Sequence, residues 1–148
     1  MREVLYAMRF AGKAAPSGEG GNVLTAATRA PSSSLTSMVD ADGLTGTLAP
    51  APGAEATFTS EVTFTSETSF QESGTITFGA GNSVHFSTVG SGYLAPSADP
   101  GRKHGTVMWR VNGGEGQFAD ASGLITSNFF VGDNLAITDH HFGVLFLP

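Results

Sequence analysis

The chain has 148 residues, a formal charge of −6 and 14% charged residues. Its acidic balance disfavours nucleic-acid backbones and anionic lipid surfaces as partners, since both call for a basic patch. With no cysteine, disulfides, thiol nucleophiles and thiolate metal sites are excluded. MREVLYAMRF carries no long apolar core or cleavage motif, and no run reaches the ~18 apolar residues of a spanning helix. The expectation is one cytoplasmic domain over residues 1–148 with no membrane association.

In chain order, residues 2–11 place Val4, Tyr6, Met8 and Phe10 on one parity, as a strand would. Residues 12–22 read as a loop rich in Gly and Pro. Strands are predicted at 23–29 and 34–40, with Asp42-Gly43 turning into 44–48 as a hairpin. The segment ATFTSEVTFTSETSF, 56–70, puts Phe58, Val62 and Phe64 on one face and Thr and Glu on the other. The tetrapeptide FTSE recurs at 58–61 and 64–67 with an even offset, so the sequence predicts one long two-faced strand. Further strands are predicted at 73–79, 83–91, 105–111, 123–131 and 135–147, with a loop at 93–105. No capped amphipathic helix is visible. Eight to ten short strands imply an all-β barrel or sandwich.

VNGGEGQFADASG, 111–123, fits a dinucleotide fingerprint at Gly114, Gly116 and Ala119. That motif works by opening a helix whose amides hold pyrophosphate. Here Ser122-Gly123 and the β-prone LITSNFFV follow at once, so the glycines read as a strand-to-strand connection.

The same stretch resembles the glycine-rich segment of allene oxide cyclases, with Gly113, Gly114, Gly116, Phe118 and Gly123 in matching positions, and dirigent proteins share a similar pattern. Upstream, Phe78, Gly79, His85, Ser87, Gly90 and Tyr93-Leu94 match a second cyclase stretch, and HHFGVLFL is loosely like the closing aromatic strand. The likeness covers roughly the second half of the chain. It implies a closed antiparallel barrel of about eight strands with an apolar cavity, and a homo-oligomer, trimer or dimer. Allene oxide cyclases shape an unsaturated epoxide for ring closure, aided by a glutamate and an asparagine on the first strand. Met8 and Phe10 occupy those places here, so no catalytic residue carries over.

The remaining polar candidates are few. In Asp139-His140-His141, adjacent residues face opposite sides of a strand, so one histidine at most enters a barrel. The spacing supplies no third metal ligand, so no metal or other cofactor is expected. Glu61 and Glu67 stand roughly 20 Å apart along a strand, beyond the ~5–9.5 Å of paired glycosidase carboxylates, and read as a solvated face. Arg110 is expected to face outward. Trp109 reads as core or cavity wall, and Tyr93 as a loop staple or a donor to a ligand.

The leading functional reading is a barrel that binds a small apolar molecule, acting as carrier or as a cyclase or isomerase through cavity shaping. The ligand-binding candidates are Tyr6, Phe10, Phe64, Tyr93, Trp109, His140 and Phe142. The alternatives are a non-catalytic lipocalin-like carrier, an oligomeric structural barrel with a filled interior, or a hydrolase or metal enzyme using His140 or His141.

Overall fold

A computed structural model describes residues 1–148. Eleven strands account for most of the chain: β1 (Arg2–Pro16), β2 (Val23–Ala30), β3 (Ser33–Asp40), β4 (Gly43–Pro50), β5 (Ala56–Phe64), β6 (Ser69–Phe78), β7 (Ser83–Thr88), β8 (Gly92–Pro96), β9 (Arg102–Glu115), β10 (Ser122–Gly132) and β11 (Ala136–Leu147). All pairings are antiparallel. The sheet runs β10-β11-β1-β2-β5-β6-β7-β9-β8, and pairing of β9 with β10 closes it. β7 and β8 both lie between β6 and β9, as one strand position interrupted near Gly90. The result is the closed eight-stranded antiparallel barrel expected from the sequence.

Side-chain alternation builds the interior. Phe10, Phe58, Phe70, Ile76, Val84, Phe86, Trp109, Ile125 and Leu145 are almost fully buried in one core. At mid-barrel, Phe10 stacks on His141 with centroids 4.2 Å apart, and Trp109 meets Phe86 at 4.5 Å and His141 at 5.0 Å. Trp109 is therefore core, and Arg110, next in sequence, is exposed as expected.

The strand expected over 56–70 is two strands. The chain reverses at Thr65–Thr68, where the Ser66 hydroxyl accepts hydrogen bonds from the Thr68 and Ser69 amides at 3.2 and 3.0 Å. No Gly or Pro marks this turn, because a serine side chain makes it. The loop expected at 12–22 is shorter, since β1 continues to Pro16. That expected at 93–105 contains β8 and a tight turn at 97–101.

The glycine-rich stretch forms no α-helix: β9 runs through Gly113 and Gly114, and one 3-10 turn covers Gly116–Phe118. Gly113 has φ +80° beside a bulge where β7 shifts register against β9. A Cβ on Gly114 would strike the Ser83 carbonyl oxygen. These glycines let two strands approach closely and bend. β3 and β4 form a separate hairpin outside the barrel. No helix is long and apolar enough to cross a membrane.

Candidate functional site

Between the mid-barrel aromatics and one barrel end lies a cavity of about 500 Å³. Phe58, Val62 and Phe64 of β5, Phe70 of β6 and Phe129 and Val131 of β10 supply apolar wall. Phe64 and Phe70 pack tilted with centroids 5.8 Å apart, and Phe70 and Phe129 meet edge to face at 5.7 Å. Exposed Glu67, Asp99 and Asp133 also border the cavity, so it opens at the end bearing the turns after β5, β8 and β10. At this rim Asp99 accepts from the Gly101 amide at 3.0 Å and from Arg102 Nε at 2.9 Å. The backbone donor, then Arg102, holds the Asp99 carboxyl below its usual range.

Two acids lie in the cavity's inner wall, Glu72 and Asp139, 9% and 5% exposed. Ser60 Oγ of β5 donates to Glu72 Oε2 at 2.6 Å, while Oε1 makes no protein hydrogen bond. The Trp109 indole N–H points toward Glu72 but reaches no hydrogen-bond geometry. Burial pushes the Glu72 carboxyl up to about 8, opposed by the Ser60 hydrogen bond and reinforced by the Asp139 charge. At neutral pH Glu72 is therefore mostly a neutral acid. Glu72 belongs to the cavity wall, so its carboxyl proton is held beside the chamber.

Asp139 is bound on both oxygens, to Ser127 Oγ at 2.5 Å and to His141 Nε2 at 2.8 Å. His141 Nδ1 and Thr28 Oγ1 are buried without partners, and Thr28 borders the cavity. The Ser127–Asp139–His141 chain places the acid between the other two groups. It therefore lacks the serine–histidine contact that activates a nucleophile. No group of three His, Cys, Asp or Glu is arranged to hold a metal ion.

The sequence-predicted ligand residues divide by position. Phe64 lines the cavity. Phe10 and Trp109 pack in the aromatic layer behind Phe58. Tyr6 lies toward the opposite barrel end against Phe78, at 5.2 Å, and burial raises its hydroxyl pKa. Tyr93 and Phe142 are about half exposed and do not border the cavity. His140 is on the outer wall, where partial burial and then the Arg9 charge lower its pKa. β11 parity puts His141 inside in its place. Sequence reasoning missed Glu72, and noted Asp139 only within the Asp139-His140-His141 cluster, without placing it in a cavity wall. Both carry a parity signal: Phe70-x-Glu72-x-Gly74-x-Ile76 and Ile137-x-Asp139-x-His141 each set an acid among inward residues.

No family model matches the chain, and no curated protein matches it by sequence. Among solved structures it is similar to a pterocarpan synthase dirigent protein, at 15% identity and a TM-score of 0.49, over 98% of this chain and 86% of the other. The fold itself, a closed eight-stranded antiparallel barrel, stands on the strand pairings.

Proposed function

We propose that the barrel holds a small, mostly apolar molecule in its cavity and acts on it as an isomerase or cyclase, with Glu72 as the proton donor. The observation carrying this reading is a carboxylic acid, Glu72, held neutral by burial in the wall of a 500 Å³ mostly apolar chamber. A filled structural barrel would have no such chamber, and a plain carrier would have no use for a costly buried acid.

In this mechanism the phenylalanine walls exclude water and hold one reactive conformer of the substrate. Glu72 donates its proton to a substrate oxygen or double bond and takes a proton back after rearrangement. Donation is efficient because the acid's pKa of about 8 lies near neutral pH. Asp139, pinned by Ser127 and His141, supplies a fixed negative charge that stabilises positive charge developing on the substrate.

The test is uptake and conversion, measured separately. Purified protein is denatured and its extract analysed by mass spectrometry, and the recovered compound is then incubated with fresh protein. Ala26→Phe, which fills part of the cavity, is expected to block uptake; uptake unaffected by this change would overturn the assignment of the site. Glu72→Gln is expected to keep uptake and lose conversion. A compound taken up but never converted by the unaltered protein would leave a non-catalytic carrier.

A further inference from the structure

The charge around the cavity is one-sided. Its inner wall holds two carboxyl groups, Glu72 and Asp139, and no lysine, arginine or histidine. At the rim, Glu67, Asp99 and Asp133 face Arg102 and Lys103, and Arg102 is taken up by its bond to Asp99 at 2.9 Å. A ligand entering this chamber thus meets more acidic than basic groups at the rim and Asp139 within, joined by Glu72 when it ionises, inside a chain that is itself at −6.

The apolar wall carries the same preference. Phe58, Phe64, Phe70 and Phe129 border the space, and aromatic ring faces attract cations and repel anions. Two polar groups complete the set. The Glu72 carboxyl makes one side-chain hydrogen bond, from Ser60 to Oε2, and Thr28 Oγ1, on a side chain 6% exposed, is buried at the wall with no hydrogen bond. Thr28 Oγ1, and Glu72 once ionised, can accept a hydrogen bond from an N–H donor. Asp139 acts by its field, because Ser127 and His141 occupy its oxygens.

We infer that the ligand of this cavity is a lipophilic cation: an ammonium group on an apolar body, with the charge beside Glu72 and the body against the phenylalanines. This inference rests on the cavity being the binding site and adds the ligand's charge. An apolar carboxylate of the same size meets the opposite field and is excluded.

A cation binds the ionised form of Glu72 better than the neutral form, so its affinity depends on pH. The charged group facing Glu72 is Asp139 of β11; its other polar neighbours are Ser60 of β5 and Trp109 of β9. Thr88 of β7 bonds only the Glu72 backbone.

The test compares phenyltrimethylammonium with tert-butylbenzene, which match in shape and differ in charge, by NMR titration of the full chain at pH 7 and pH 9. With the acid centred at about 8, its ionised fraction rises roughly tenfold across that range. The cation's affinity is expected to rise about as much, while that of the neutral probe stays constant. Glu72→Gln is expected to flatten the cation's pH profile and keep the neutral probe's binding, which also shows the variant folded. Should it fail to fold, the pH ratio of the unaltered protein decides alone. Binding of tert-butylbenzene with a pH-independent or absent response to the cation would overturn the cation inference and leave the apolar site intact. Failure of both probes to bind would overturn both.

Discussion

Replacing Glu72 with glutamine should change how stability depends on pH. The substitution keeps the side-chain shape, and Ser60 Oγ, now 2.6 Å from a carboxyl oxygen, can donate to the amide oxygen. In the unaltered protein the carboxyl ionises at about 8 when folded, against an ordinary 4.5. The folded state therefore keeps a proton over a range in which the unfolded chain has lost it. Stability contributed by this group is complete below the ordinary value and falls as pH rises toward 8. At about 1.4 kcal/mol per pH unit, the loss amounts to roughly 3–5 kcal/mol. Glutamine has no proton to lose, so the variant escapes this loss. Urea denaturation at pH 5, 7 and 9 should show the two proteins within about 1 kcal/mol of each other at pH 5, with the variant more stable by a few kcal/mol at pH 9. Parallel stability profiles for the two proteins would refute the claim that Glu72 is folded into the barrel as a neutral acid.

Other substitutions separate core, site and surface. Trp109→Ala should cost about 3–5 kcal/mol of stability by denaturant titration, because the indole is 1% exposed among Phe58, Phe86 and His141. Asp139→Ala, which strands the Ser127 hydroxyl and His141 Nε2, should destabilise by about 3–5 kcal/mol, whereas Asp139→Asn, which can still accept from one of them, should cost less. Gly92→Ala would drive a methyl into the Phe70 ring and should lower both the melting temperature and apolar-ligand uptake, since Phe70 is cavity wall. Val39→Ser, on the hairpin at 79% exposure, should shift the stability of the monomer by less than about 0.5 kcal/mol.

The architecture was legible because period-two alternation survives through most strands and glycine or proline marks most turns. β1, β10 and β11 are plain examples, and the glycine-rich stretch makes the strand-to-strand connection between β9 and β10 that its composition indicates. The 65–68 turn was hidden because Thr-Ser-Glu-Thr has β propensity and the reversal depends on the Ser66 side chain. That loss concealed the site as well: with 56–70 taken as one strand, the register of Phe70 and Glu72 against β5 could not be followed. The His140–His141 choice turned on strand phase, which an adjacent pair cannot reveal alone. The pairing of Glu72 with Ser60, and of Asp139 with Ser127, joins residues on different strands. Such contacts depend on inter-strand register, which single-strand alternation does not specify.

The most direct test is a crystal structure of the protein with its extracted or titrated apolar ligand. The account predicts electron density for that ligand inside the barrel, flanked by Phe64, Phe70 and Phe129, with a polar or charged atom in hydrogen-bond or ion-pair range of the Glu72 carboxyl. A ligand seated on the outer wall, or side chains filling the space beside Glu72, would contradict it.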